Sequence, residues 1–470
     1  MKNRMTTYFF LATLIFLSSE LKSQEYMFIS EIKISGNKRT REEIIIRELP
    51  FKRGDVVRAS DLPRLLIEGR NNIRNLSLFN LVLVYNNTER LDPSEKYGNT
   101  EIVIQVEERW YYWPMVGIIL EDQDFGTWIK KPDWSYVTIV GGLKINNIAG
   151  RNQTLRAVLT TGFNKGFFFE YSNIYLDKKG KHLLDITFKR AYTRVENISL
   201  ISDLPFHIKS DSSFLKSSYS TTLKYTFRQG LHLRHNLTLD FSYTEIDPVI
   251  LKQNPDYWGN DQTNRRAYSF IYNFVFDKRD NIPYPLRGLY LSSGITGYTS
   301  NRRDVIHKKV SGDLQTFCPL AGGFFASARV HGAISSTNVK GHVFNRVIGF
   351  DENQLRGYRR YAFEGQNYVV ASPEIKYRIV PETRFHLKFL SFLPKFNKVH
   401  LAIYGKLFGD IAYVHNKYYS SSNTLSNTLL KNYGLGLDVA AYYDITLSAE
   451  YSVNHLGEGG FYFSLVKPLR

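Results

Sequence analysis

Residues 219–228 read Tyr-Ser-Thr-Thr-Leu-Lys-Tyr-Thr-Phe-Arg. In an extended chain Tyr219, Leu223, Tyr225 and Phe227 fall on one face, and Ser220, Lys224, Thr226 and Arg228 on the other. Period two therefore predicts a strand with one apolar and one polar side. The pattern recurs in Leu237, Leu239, Phe241 and Tyr243 against Thr238, Asp240 and Ser242, and in Leu184, Ile186 and Phe188 against Asp185, Thr187 and Lys189. Phe270, Tyr272, Phe274 and Phe276 form another apolar stripe. No sustained helical period interrupts this alternation after Trp110. Sixteen runs stand out, beginning near Tyr111, Val137, Thr154, Phe167, Leu183, Lys216, Arg234, Ala267, Gly288, Val310, Phe325, Tyr368, Val399, Tyr433, Ile445 and Phe461. Many approach the roughly 9–11 residues that cross a bilayer at a tilt. Charges on the second face suit a wet interior, so residues 111–470 are expected to form an all-β transmembrane barrel of 16 antiparallel strands rather than a soluble sandwich.

Residues 24–110 carry a different pattern. Ile32-Lys33-Ile34-Ser35 alternates and runs into a Gly36-Asn37 turn. Thr40-Arg41-Glu42-Glu43 has the spacing of a capping box and predicts a helix with Ile44, Ile45, Ile46 and Leu49 on its apolar side, stopped by Pro50. Gly54-Asp55 marks a turn. Leu62, Leu65, Leu66, Ile73 and Leu76 predict a second helix from about Ser60 to Leu76. Leu78–Tyr85 and Ile102–Val106 read as strands. The order β-α-α-β-β predicts a small α+β domain ahead of the barrel.

Composition adds an address. Lys2, Arg4 and the apolar run Tyr8–Leu17 predict a secretory signal peptide over residues 1–23, cleaved near Ser23. No later stretch reaches the roughly 18 consecutive apolar residues of a spanning helix. Aromatic residues make up 15% of the chain, enough to supply girdles at both membrane interfaces. Cys318 is the single cysteine, which excludes an intramolecular disulfide and a thiolate metal cluster, and it reads as a small apolar filler. The formal net charge is +17, spread along strands and loops rather than gathered on an arm, so anionic lipid or an acidic lumen partner fits better than nucleic acid. No metal-ligand spacing or phosphate-cradling glycine loop occurs, and no cofactor is expected.

Four motifs complete the pattern. Gly349–Tyr358 holds Leu355-Arg356-Gly357-Tyr358 in a long connection between two strands. Ala371–Tyr377 places Glu374 on the next strand, and Phe408-Gly409-Asp410-Ile411-Ala412 places Asp410 on the one after. Asp277-Lys278-Arg279-Asp280 runs on to Pro283, Pro285 and Gly288. These resemble, in order, the loop tetrad, acidic partner strands and strand-end turn of the BamA/TamA-type outer-membrane proteins, and residues 24–110 resemble a POTRA domain, with Gly36-Asn37 as its turn. Ala412 stands where the family has glycine. Pro373 suggests a bulge or sheet edge, because proline cannot donate to a ladder. The last strand, Phe461–Val466, is followed by Lys467-Pro468-Leu469-Arg470 in place of the family's terminal aromatic, which implies a weaker closing seam.

The resemblance implies a lock in which Arg356 bonds Glu374 and Asp410 through its planar fork, with Gly357 allowing the tight turn and Tyr358 beside it. Asp277, Arg279, Asp280 and Gly288 read as architectural. The implied function is an outer-membrane assembly or translocation factor. Its POTRA domain would lie in the periplasm and receive unfolded clients, and its barrel would insert or export them, with lipid and accessory assembly proteins as further partners. A passive channel is the alternative, although it would not need the β-α-α-β-β module. A barrel enzyme is a second alternative, but His331, His342 and His386 have no recognisable nucleophile motif nearby.

Overall fold

The computed structural model describes residues 26–88, 97–121, 130, 132–300, 305–350, 353–388, 391–393, 395–418 and 422–466. The expected signal peptide, Asp351, Glu352 and the tail after Val466 lie outside them. The chain divides into two units, Met1–Glu108 and Arg109–Arg470.

The first unit runs β1 (Tyr26–Ser35), α1 (Glu42–Ile46), β2 (Val56–Arg58), α2 (Leu62–Arg74), β3 (Phe79–Thr88) and β4 (Gly98–Glu108). Its sheet order is β2-β1-β4-β3, with β1 and β4 parallel. Alternation turns Ile29, Ile102 and Ile104 inward, where Ile45 of α1 and Ile73 of α2 join them with no exposed surface. Gly69 lets α2 approach closely, since a Cβ there would lie 3.1 Å from Leu49 Cδ2. The three-residue β2 was not apparent in the sequence, being too short for alternation to register.

The expected capping box does not form. The residue before α1 is Arg41, and it makes no side-chain cap. Thr40 Oγ1 instead donates to Glu108 Oε1 at 2.8 Å, and the same oxygen accepts Thr40 N at 2.7 Å and Arg39 N at 2.9 Å. A buried carboxylate is a stronger acceptor than the hydroxyl's alternatives and draws it away. Gly36 takes φ 89°, and a Cβ there would overlap the Val106 carbonyl oxygen. Asn37 Nδ2 closes the turn on Thr40 O at 3.1 Å.

The second unit opens with β5 (Tyr112–Leu120), β6 (Val137–Ile148), β7 (Gln153–Gly162), β8 (Lys165–Tyr175) and β9 (His182–Thr193). A hairpin of β10 (Val195–Ile201) and β11 (Leu204–Lys209) precedes β12 (Lys216–Gln229) and β13 (Leu233–Ile246). A short helix α3 (Pro248–Gln253) leads to β14 (Asn264–Asp277), β15 (Gly288–Ser300), β16 (Ile306–Pro319) and β17 (Phe324–Thr337). The next connection holds α4 (His342–Asn345), β18 (Arg346–Ile348) and β19 (Phe363–Glu364). Five strands close the unit: β20 (Asn367–His386), β21 (Lys398–His415), β22 (Leu429–Ala441), β23 (Thr446–Asn454) and β24 (Gly459–Val466).

Sixteen of these strands form one antiparallel sheet in chain order, with the β10–β11 and β18–β19 pairs set aside as insertions. Each starts within four residues of its expected position. Leu223, Leu239, Phe270, Ile295 and Val310 are exposed on the outer face, as a lipid-facing band requires. Cys318 is also exposed, so it does not fill a core.

Pro373 makes neither a bulge nor an edge. Strand β20 lies between β17 and β21, and its register runs without a shift from Ala371 opposite Ile411 to Glu374 opposite Phe408. The irregularities fall further along, between Arg378 and Thr383.

Candidate functional site

The inner faces of β20 to β23 carry the polar half of the alternation. Glu374 and Lys376 come from β20; Lys406, Phe408 and Asp410 from β21; Asn432, Gly434, Gly436 and Asp438 from β22; Ser448, Glu450 and Asn454 from β23. The residues between them, including Ile375, Leu407, Leu435 and Leu447, are exposed on the outer face. Period two thus delivers a polar wall without any local motif marking it.

The connection 338–366 meets this wall. Leu355, Tyr358 and Phe363 bury themselves against Val370, Ala412, Val414 and Leu430, so apolar packing fixes the loop. Arg356 lies on the same segment. Its Nε and Nη2 donate to the two Asp410 oxygens at 2.9 and 2.6 Å, and Nη1 donates to Glu374 at 3.0 Å. The guanidinium also lies 4.0 Å above the Phe408 ring centroid. Gly357, at φ 74°, turns the chain here. Asn432 and Asn454 then donate to the carbonyls of Arg356 and Gly357 at 2.6 and 3.0 Å. The Tyr358 hydroxyl donates to Lys431 O at 2.9 Å and meets His455 Nδ1. Arg356, Gly357, Tyr358, Glu374 and Asp410 are therefore brought together.

The site extends beyond those residues. Lys376 bonds the other oxygen of Glu374 at 3.0 Å. Lys406 sits between Asp438 and Glu450, 2.7 Å from each, and Arg359 reaches Glu450 at 3.5 Å. Four cations, Arg356, Arg359, Lys376 and Lys406, thus face four carboxylates, Glu374, Asp410, Asp438 and Glu450. Such a balanced set satisfies each member, and removing one would leave a buried charge unpaired. Lys376, Lys406, Asp438, Glu450 and Arg359 were not singled out in the sequence. For the four on strands the one local sign is an acid or base on the inward face, flanked by the Gly434-Leu435-Gly436 spacing that leaves room for Phe408 and Lys406; Arg359, in the connection, has none.

The turn 278–287 enters from the opposite end of the strands. Asp277 accepts from Arg279 Nε and Nη2 at 2.8 and 2.7 Å. Asp280 Oδ1 accepts from the amides of Asn281, Leu286 and Arg287 at 2.8, 3.1 and 3.2 Å. Gly288 takes φ 117°, where a Cβ would overlap the Lys278 carbonyl oxygen. These bonds hold the turn, which also delivers Tyr284. The Tyr284 hydroxyl donates to Asp438 at 3.0 Å, its ring packs on Tyr404, and Lys376 Nζ lies 4.2 Å above that ring. Gly36 and Asn37 belong to the first unit and take no part in this network.

A wall of paired charges gripping an inserted loop, on a 16-stranded barrel unit following a small α+β unit, narrows the family. The model of the Omp85 superfamily domain matches residues 147–443, and a POTRA model described as surface antigen variable number repeat matches residues 27–109. This chain belongs to the Omp85 superfamily.

Among solved structures, this Omp85 protein is similar to CdiB from Escherichia coli at a TM-score of 0.51 and 12% identity, over 94% of this chain and 76% of that one. BamA from Haemophilus ducreyi lacking POTRA domains 1–3 gives a TM-score of 0.48 at 14% identity, over 93% and 83%. At 12% identity the CdiB likeness speaks for shared fold alone. No curated protein matches the chain. Omp85 membership makes the chain an outer-membrane β-barrel protein with a role in assembly or translocation.

Proposed function

We propose that this Omp85 protein receives unfolded client chains on residues 24–110, held in the periplasm, and inserts or exports them through the barrel of residues 111–470. The observation that carries this reading is the three-bond grip of Arg356 on Asp410 and Glu374, which holds an inserted loop against the barrel wall. A plug loop anchored in this way would keep conductance low, which separates this reading from a passive pore. Client capture would use strand addition at an edge of the small sheet, where main-chain bonds give affinity without demanding a fixed sequence. The ten-residue β3 forms one edge, whereas β2 at the other has only three residues. No covalent step is required, because burial of client strands in lipid supplies the driving force. Accessory assembly proteins would bind from the periplasmic side.

Quantitative proteomics of the outer membrane after depletion tests this. A broad fall in other barrels is expected of a general insertase or helper, and loss of one exported protein of a dedicated translocator. An unchanged outer-membrane proteome would overturn the client-handling reading and leave the passive channel.

A further inference from the structure

Inside the barrel unit, a cavity of about 230 Å³ lies between the wall formed by β16, β17 and β20 and the inserted α4–β18 segment. Three basic side chains line it: His307 and Lys309 from β16, and Arg346 from β18. Among the described residues, its other polar lining comes from Ser335, Gln366 and Tyr368, with no Asp or Glu.

Several other inward-facing cations have carboxylate partners. Lys224 pairs with Asp185, Arg329 with Asp313, Lys376 with Glu374, and Lys406 with two carboxylates. Among the described residues, Lys309 has no carboxylate within ion-pair distance. Arg346 has Glu196 at 3.7 Å, but that carboxylate is shared with Lys216 at 3.2 Å. Arg265 adds to the imbalance. It is 95% buried by relative area, and its guanidinium lies 5.5 Å from the ring of Phe344, which also lines the cavity; Nη2 donates to Asn260, while Nε and Nη1 have no hydrogen-bond partner among the described residues. Cations withdrawn from water without counter-charge are costly, and an anion in the adjoining space removes much of that cost.

We propose that this cavity binds a phosphate-sized oxyanion between Lys309 on the barrel wall and Arg346 on the inserted connection. The volume is below the roughly 300–1,000 Å³ of sites for drug-sized ligands, which suits a single ionic group, either a free ion or the terminal phosphate of a larger solute. A bound anion would tether the connection to β16, whereas Arg356 grips β20 and β21. The proposal does not depend on client handling.

Isothermal titration of the full-length protein in detergent micelles, with inorganic phosphate and with glycerol 3-phosphate at constant ionic strength, tests it. Saturable binding of inorganic phosphate is expected. Lys309→Gln should weaken it at least about tenfold, while Lys309→Arg should retain it, since a hydrogen bond to a charged group is worth at least that ratio. Lys308→Gln, on the outer face of the same strand, should bind as the parent does. Circular dichroism confirms that each variant keeps its strands. Binding of inorganic phosphate alone identifies a free ion as the ligand, and equal binding of both probes identifies a terminal phosphate. No saturable binding by the parent, or parent-like binding by a folded Lys309→Gln, would overturn the site.

Discussion

Gly434 on β22 stands directly opposite Phe408 on β21, and a Cβ on the glycine would lie 2.5 Å from the ring's Cζ. The missing side chain is what lets Phe408 lie flat beneath the Arg356 guanidinium. A Cβ at Gly434 would also overlap the Tyr451 carbonyl, a backbone atom that cannot swing away. Gly434→Ala should therefore destabilise the barrel by about 1–3 kcal/mol, the usual range for overpacking. Urea unfolding in detergent, followed by the heat-dependent gel shift of the folded barrel, checks it. An unchanged midpoint would mean that the ring adapts at no cost.

Arg356 and Asp410 supply a second test. Arg356→Ala leaves Asp410, only 2% exposed, without its main partner, and should cost about 3–5 kcal/mol. Adding Asp410→Asn should recover part of that loss, because the two changes act on one interaction. Arg356→Lys keeps the charge but not the parallel fork, and should fall between parent and alanine. Unfolding free energies of the single and double variants measure the coupling. Planar-bilayer conductance should rise in Arg356→Ala if the loop leaves the wall, and a parent-like conductance with parent-like stability would remove the lock.

Lys406 and Tyr284 extend the test to the other end of the wall. Lys406→Met removes the cation that Asp438 and Glu450 share and should cost as much as Arg356→Ala, about 3–5 kcal/mol. Tyr284→Phe removes one hydrogen bond to Asp438 but keeps the ring packing, so a loss of about 1–2 kcal/mol is expected. The same unfolding assay distinguishes them. A smaller effect from Lys406→Met than from Tyr284→Phe would contradict the pairing scheme.

Acidification should loosen the inserted connection at His342. This imidazole lies among Glu364, Asn197, Arg346, Glu196 and Tyr257. Burial first, and the nearby Arg346 charge, push its pKa below the ordinary 6.5 despite the opposing pull of Glu364 and Glu196. The unfolded chain then binds the proton more readily than the folded one. The neutral ring's contribution is intact above pH 6.5 and is lost as pH falls from there through the lowered folded value. Limited proteolysis of residues 338–366 should speed up between pH 7 and pH 5 in the parent, and much less so in His342→Gln. Equal pH profiles for the two would assign the effect to another group.

The motifs at Arg356, Glu374, Asp410, Asp277 and Gly288 were visible because each has a short local pattern. The rest of the wall was not, because Lys406 and Glu450 become neighbours only through the registers of β21 with β22 and β22 with β23. Thr40 shows the same limit on a smaller scale. Its spacing to Glu43 is that of a capping box, yet Glu108, 68 residues away, takes its hydroxyl. Pro373 marked a break that the neighbouring ladders absorb without a change of register.

What the sequence determined by itself was the alternation: sixteen strands, their faces, and a separate small α+β unit ahead of them. A strand's two faces follow from backbone geometry alone, so composition at odd and even positions suffices to read them. Which inward charges meet, which glycines make room for them, and which cations are left without a carboxylate were decided only by the tertiary structure. Those relations join residues on different strands, and they exist only once strand register has placed them side by side.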